Sequence, residues 1–223
     1  MRVVIFGATG MVGAGVLLEC LDDPRIEGVL VVGRHGTGIR HPKVTEVIHA
    51  DFFSYDSLRD RFARCDACFF CLGVTSVGMS EQDYHHLTYD LTLAAARAMV
   101  AVNPRMTFCY VSGLGTDSTE QGRAMWARVK GKTENALLGL GFKASYMVRP
   151  GFIQPRRGVR SKTAWYHAFY TALGPLYPVF RVLLPRYVTT TSDLGRAMLE
   201  LAARGYERPI IEVADLNRLI ART

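Results

Sequence analysis

Apolar residues in this chain gather into short continuous runs. Longer segments separate them, and in these the apolar positions recur every three or four residues. The runs are Val3 to Phe6, Gly28 to Gly33, Ala67 to Leu72 and Met106 to Val111, with weaker ones at Val44 to Ile48 and Phe142 to Val148. Runs of this length bounded by glycine, proline or asparagine read as strands covered on both faces, as in a parallel sheet. The segments between them read as helices: Met11 to Leu21, stopped before Pro24; a short one over Asp56 to Phe62; a long one capped by Ser80 and reaching about Ala101, stopped by Asn103-Pro104; and Arg123 to Leu138. Further on, Ser192-Asp193 reads as the cap of a helix to about Arg204, Pro209 to Val213 as a short strand, and Leu216 to Ile220 as a terminal helix or tail.

Regular alternation of strand and helix predicts an α/β fold: a doubly wound, Rossmann-like parallel sheet with helices on both faces. Ligands of such sheets bind at the carboxyl ends of the strands. The loops after Phe6, Val32, Ile48, Leu72, Val111 and Val148 are therefore expected to line one crevice. Residues 1–223 read as a single domain, yet the pattern changes after Pro150. Gln154 to Arg160 is basic and irregular, and Trp165 to Leu184 is apolar and aromatic but cut by Gly174-Pro175 and Pro178. Residues of about 151–190 are expected to form a small apolar cap on the substrate side. The alternative is a peripheral membrane contact through 165–184, flanked by arginines.

Composition narrows the picture. Hydrophobic residues make up 49% and charged residues 21%, which suits a packed core rather than disorder. No run approaches the roughly 18 apolar residues of a spanning helix, so no transmembrane segment is expected. The first strand begins almost at once, which leaves no room for a signal peptide, and the chain reads as cytoplasmic. The net charge is +7, from 27 basic and 20 acidic residues, without a block of like charges. No nucleic-acid partner is expected; the basic surface suits an anionic cofactor. The five cysteines, an odd number, read as reduced thiols. Cys65, Cys68 and Cys71 have a spacing reminiscent of iron–sulfur ligands. On a strand, however, an offset of three puts Cys68 and Cys71 on opposite faces, and no metal site is expected. His85 and His86 are adjacent, so on a helix they should face different sides and make a poor metal pair.

The chemistry begins at Gly7-Ala8-Thr9-Gly10-Met11-Val12-Gly13, directly after a strand and opening a helix. Gly7 allows the sharp turn out of the strand, Gly10 lets a pyrophosphate approach the backbone, and Gly13 lets the helix pack close to the strand. Arg34 stands just beyond the second strand, where the adenosine ribose of a dinucleotide lies. An acidic residue there would bind the 2′-hydroxyl of NAD; arginine pairs with the 2′-phosphate of NADP. The expected cofactor is therefore NADP rather than NAD, with Arg40 and His35 as possible helpers.

These motifs, with Asp51, Cys71-Leu72-Gly73, Tyr110-Val111-Ser112 and Arg149-Pro150-Gly151, resemble the atypical or extended short-chain dehydrogenase/reductases, the NAD(P)-dependent epimerase/dehydratase-like proteins. Val129-Lys130-Gly131-Lys132-Thr133-Glu134 is similar to the Tat-interacting-protein oxidoreductase group within them. The resemblance implies that Thr9 through Val12 hold the pyrophosphate and that Asp51 and Phe52 contact the adenine. It places Cys71, Leu72 and Gly73 beside the nicotinamide-side ribose. Val111 and Ser112 would flank the nicotinamide, Pro150, Gly151 and Ile153 its carboxamide, and Lys130 would bind that ribose.

The family's catalytic tyrosine and lysine lie one turn apart on a helix, the lysine lowering the phenol pKa for proton transfer. Here Lys130 is present, but Trp126 occupies the tyrosine position, and an indole N–H does not titrate usefully. The candidate catalytic set is Lys130, Ser112 and Trp126, with Tyr84, Tyr89, Tyr110 and Tyr166 as open substitutes for the missing phenol. Gly131-Lys132-Thr133 resembles the end of a P-loop, but Trp126 stands where its first glycine belongs. Two functions remain: an oxidoreductase or epimerase-like enzyme on a small carbonyl or alcohol, or a catalytically silent NADP(H)-binding regulatory or interaction module. The resemblance also implies pairing through the helices near 81–101 and 123–138. Their apolar stripes serve equally to pack on the sheet, so monomer and homodimer both stay open.

Overall fold

Strand β1 (Arg2–Phe6) is an inner strand, third from one edge, of a seven-stranded, fully parallel sheet. To one side lie β2 (Gly28–Gly33) and β3 (Val44–Ile48); to the other β4 (Ala67–Phe70), β5 (Thr107–Val111), β6 (Ala144–Arg149) and β9 (Ile210–Glu212), in the order β3-β2-β1-β4-β5-β6-β9. The direction of winding reverses between β1 and β4, where Val3 pairs with Ala67 and Phe6 with Phe70. A crevice opens at such a reversal, because the loops on its two sides diverge. The computed structural model describes residues 1–159 and 186–221. Most of the expected cap, and Tyr166 with it, lies outside the described residues.

Successive side chains of β1 enter two separate cores. Val3 and Ile5 pack with Val16, Leu17 and Cys20 of α1 (Met11–Asp22) and with Leu194, Ala197 and Met198 of α6 (Thr191–Arg204). Val4 and Phe6 pack with Phe62 of α2 (Arg59–Phe62), Ala95, Ala96 and Met99 of α4 (Leu91–Val102) and Leu137 of α5 (Met125–Leu138). This two-sided burial is why the strands are continuous apolar runs rather than alternating ones. The fully buried Phe6 ring lies 6.0 Å from Tyr55, 6.4 Å from Phe52 and 5.1 Å from Phe70. Cys68 belongs to the second core and Cys71 packs against the first, on opposite faces as the offset of three predicts.

Several elements differ from the sequence reading. The long helix is broken in character: α3 (Glu81–His85), capped by Ser80 accepting from the Asp83 N–H at 3.1 Å, passes through a π-helical turn at His86–Asp90 into α4. The wider turn lets both His85 and His86 reach Asp90, at 3.6 and 3.2 Å, while their rings lie against different neighbours, Tyr89 and Phe53. Helix α6 is capped by Thr190, whose hydroxyl accepts from the Asp193 N–H at 2.9 Å; Ser192 lies inside the first turn. A second, two-stranded parallel sheet pairs β7 (Phe152–Gln154) with β8 (Val188–Thr190), at the two ends of the stretch expected to form the cap. Helix α7 (Val213–Ile220) follows β9 directly, held by reciprocal capping between Glu212 and Asp215. No helix among the described residues is long and apolar enough to cross a membrane.

Candidate functional site

The turn after β1 exists because two close approaches leave no room for side chains. Gly7 has φ +79°, and a Cβ there would lie 2.7 Å from the Cys71 carbonyl oxygen. A Cβ on Gly13 would lie 2.2 Å from the Gly7 oxygen, so α1 sits almost in contact with the turn. The helix starts after an extended Gly10 with no side-chain cap and no acidic residue in its first turn. Its first N–H groups and positive end thus face the crevice without a protein carboxylate to answer them.

That crevice is a cleft of about 540 Å³ along the carboxyl ends of the strands. Gly7, Thr9, Gly10, Met11 and Val12 line it from the turn after β1, and Arg34 from the end of β2. Cys71, Leu72 and Gly73 line it after β4, Val111 and Ser112 at the end of β5, Lys130 from α5, and Pro150, Gly151 and Ile153 after β6. Three proposed contacts do not line it. Gly13 supports the turn from behind. Phe52 has its ring in the aromatic core beside Phe6, because the residues after β3 turn inward there. Asp51 is exposed, with its Oδ1 accepting from the Phe53 N–H at 2.9 Å. Arg34 is exposed at the rim, while the neighbouring Glu46 is occupied by the N–H and hydroxyl of Thr37.

At the far end, Lys130 donates to the Ser112 carbonyl in a short hydrogen bond. Burial pushes its pKa down to about 8, and the attraction of Glu134 one turn later partly opposes that. Glu134 is fully buried and gripped by Arg149 through Nε at 3.0 Å and a short Nη2 contact. Arg149 also donates to the Ser118 hydroxyl at 2.6 Å, which fixes the loop between β5 and α5. This pair went unread in the sequence; the signal for it was a glutamate four residues after Lys130 on one helix face. The Ser112 hydroxyl donates to the Val148 carbonyl at 3.2 Å, and Ser112 is buried. Burial also pushes the Cys71 thiol up to about 12, so it stays protonated and is no nucleophile at neutral pH.

Beyond Lys130 the cleft runs into a second cavity of about 690 Å³, with which it shares Val74, Thr75, Gly113, Lys130, Pro150 and Gly151. Trp126 lines this second space and packs over Gly115. So does Tyr84, presented by α3, which Arg128 ties to α5 through Glu81 at 2.6 Å. Of the other tyrosines considered, Tyr110 is buried in the core beside Phe70, its phenol pushed up by burial. Tyr89 lies against His85, with the Lys132 ammonium 5.0 Å from its ring centre. Tyr84 is therefore the one of these three that meets Lys130 and Trp126 across a common space.

Residues 3–120 match the model of the NAD dependent epimerase/dehydratase family. Among curated relatives, "Protein fmp52, mitochondrial" of Emericella nidulans is 27% identical over 163 residues, 70% of this chain and 68% of its own length. "Leucinostatins biosynthesis cluster protein T" of Purpureocillium lilacinum is 26% identical and spans 90% of this chain and 84% of its own. Among solved structures, a UDP-glucose 4-epimerase of Thermotoga maritima with UDP-glucose covers 100% of this chain and 82% of its own at 14% identity, with a TM-score of 0.67. The Bordetella bronchiseptica enzyme WbmF in complex with NAD+ covers 99% and 77%, also at 14% identity and 0.67. The likeness to both structures is one of fold. The expectation of a cytoplasmic location is overturned: relatives from Emericella nidulans and Debaryomyces hansenii carry mitochondrial names. That reading rested on the lack of a secretory signal peptide, which does not distinguish among the compartments reached without one.

Proposed function

Because the chain belongs to the NAD dependent epimerase/dehydratase family, we propose that it is an NADP(H)-dependent oxidoreductase or epimerase-like enzyme acting on a small carbonyl or alcohol. The observation that carries this reading is one continuous space. It starts at the uncapped end of α1, passes Lys130 and opens into the cavity holding Trp126 and Tyr84.

The residues suit a dinucleotide. The Gly7 turn leaves a cradle that a Cβ would fill, and the end of α1 offers unanswered N–H groups to a pyrophosphate at Thr9 through Val12. Arg34 would take the 2′-phosphate, Lys130 the nicotinamide-side ribose, and Pro150 with Gly151 the carboxamide. When bound, the nicotinamide supplies or accepts a hydride at its C4. The chain itself orients the reacting oxygen and handles its proton. Trp126 can donate a hydrogen bond to that oxygen but has no proton to exchange, so the proton passes through Tyr84 or water.

Titration with NADP+ and NAD+ tests the cofactor. One charge-assisted contact contributes about 1.5–3 kcal/mol, or roughly 10- to 100-fold in affinity. Arg34→Ala is expected to weaken NADP+ by that factor and to leave NAD+ within about twofold. Equal affinities for the two in the unaltered protein would remove the NADP assignment.

Trp126 itself favours the second reading, a silent NADP(H)-binding module. Absorbance loss of NADPH against aldehydes, ketones and quinones separates the two. Turnover that survives in Trp126→Phe and drops about a hundredfold in Tyr84→Phe supports the enzyme. No turnover in the unaltered protein, with a gain in Trp126→Tyr, supports the module.

A further inference from the structure

The cavity beyond Lys130 is walled mainly by apolar residues. Among the described residues that line it, Lys130 is the single charged side chain, and its ammonium is already donating to the Ser112 carbonyl. The polar remainder is Thr75, Ser76, Tyr84, Tyr187 and the indole of Trp126. The walls are otherwise aliphatic and aromatic, with Trp126 and Phe152 facing the space from α5 and β7. The rim is apolar as well. Val77 is 82% exposed, Tyr187 52%, Val74 44% and Leu114 39%. All four line this one cavity, and they account for half of the eight large hydrophobic residues that stand exposed among the described residues. Exposed apolar side chains scattered singly need no explanation, but a cluster around the mouth of a cavity marks a binding surface.

A nucleotide sugar would bring two phosphate charges into this space, and burying them without cations costs several kcal/mol each. The described walls offer one cation, Lys130, and it is already donating to the Ser112 carbonyl. Of the arginines around the site, Arg128 and Arg149 are bound to Glu81 and Glu134, and Arg186, next to the lining Tyr187, is exposed to solvent. An uncharged hydrocarbon body, by contrast, gains about 25 cal/mol for each Å² of apolar surface it buries.

Resting on the reading of this site as NADP(H)-dependent, we propose that the cavity takes an uncharged, predominantly apolar carbonyl compound with an aromatic or branched hydrocarbon body. Its oxygen points toward Lys130, Trp126 and Tyr84, and its hydrocarbon body lies against Phe152, Leu114 and Val77. A sugar nucleotide is expected to bind less tightly, because the described walls offer its two phosphates a single cation. Val77 and Leu114 act as specificity residues: they touch the body of the substrate and not its reacting oxygen.

Equilibrium binding tests this without turnover. The full chain carrying Trp165→Phe leaves Trp126 as its single tryptophan, and its fluorescence reports occupancy of the cavity. The probes are 4-phenylbutan-2-one, the carboxylate 4-phenylbutanoate of similar body, and UDP-glucose, each titrated with NADP+ present. The ketone is expected to bind at least tenfold more tightly than either charged probe. Val77→Asp and Leu114→Asp should each weaken the ketone about three- to tenfold, while NADP+ affinity in the same variants stays within twofold and confirms that they fold. Tighter binding of UDP-glucose or of the carboxylate overturns the proposal, as does no binding of the ketone or unchanged ketone affinity in both variants. Separate titration of NADP+ keeps the two readings apart. Ketone binding to a chain that ignores NADP+ sinks the cofactor assignment and leaves the apolar cavity standing; NADP+ binding with no ketone binding does the reverse.

Discussion

Lys130 concentrates the chemistry of the site at the scale of one residue. Its pKa of about 8 in the folded chain lies below the ordinary lysine value of 10.5 because burial disfavours the ammonium more than Glu134 restores it. The sign of the pH effect follows. Below about pH 8 the residue is charged in both folded and unfolded chains, and the cost of desolvating it is fully present. Between about 8 and 10.5 the unfolded chain holds the extra proton, so stability rises with pH. Urea unfolding is expected to show the unaltered protein gaining on Lys130→Met by about 1–2 kcal/mol between pH 7.5 and 9.5, after allowance for solvent screening. A difference that stays flat across that range would mean that Lys130 is not desolvated. The lysine itself was legible from its resemblance to the family's pair. Its depressed pKa was not, because depression depends on what covers the side chain.

Single elements are joined across the site by buried ions. Helix α5 carries Glu134 and β6 ends in Arg149, and their pairing holds the helix that presents Lys130 and Trp126 against the sheet. Removing one partner leaves the other charge buried alone, at a cost of about 3–5 kcal/mol, whereas replacing both by apolar residues is often nearly neutral. Arg149→Met should therefore lower the unfolding free energy by about that amount, and adding Glu134→Leu should recover most of it, as measured by denaturant midpoints. An additive double variant would show that the two residues act independently. On the opposite face, α1 and α6 are tied by a similar device. Glu19 takes Arg157 and Arg196, each at 3.1 Å, and Glu200 takes Arg25 at 2.7 Å and Arg204 at 3.2 Å. Glu19 and Glu200 are buried, so these pairs fix how α6 crosses α1. Apart from Glu200–Arg204, four residues apart on one helix, these pairs have no local signal, since the partners lie as far as 177 residues apart in sequence.

For the whole molecule, the arrangement of the sheet decides what the surface can do. Reversal of winding at β1 and β4 gathers five of the six predicted loops, all but the one after β3, into one cleft, and its extension past Lys130 joins that cleft to an apolar cavity. The charge of +7 suits an anionic cofactor at the cleft, while the far end is nearly without charge. One fold thus places the cleft at the uncapped end of α1, with Arg34 at its rim, beside a largely apolar cavity. The first is inherited from the turn after β1; the second is assembled from loops that other proteins of this fold are free to vary.

By itself the sequence determined the parallel sheet, the glycine turn, the position of Arg34 after β2 and the absence of a phenol at Trp126. These are local facts. A strand covered on both faces must be apolar throughout, a turn with positive φ demands glycine, and a side chain one turn before a lysine is fixed by helix geometry. Tertiary structure decided the rest. It put the Phe52 ring in the core instead of at the cleft, paired β7 with β8, and used a π-helical turn to bring two adjacent histidines to one aspartate. It also built the second cavity from Val77, Tyr84, Leu114, Trp126, Phe152 and Tyr187, residues from five separate stretches of chain. No periodicity connects such residues. Contacts between distant segments are set by how the elements pack, and that information exists only once the chain has folded.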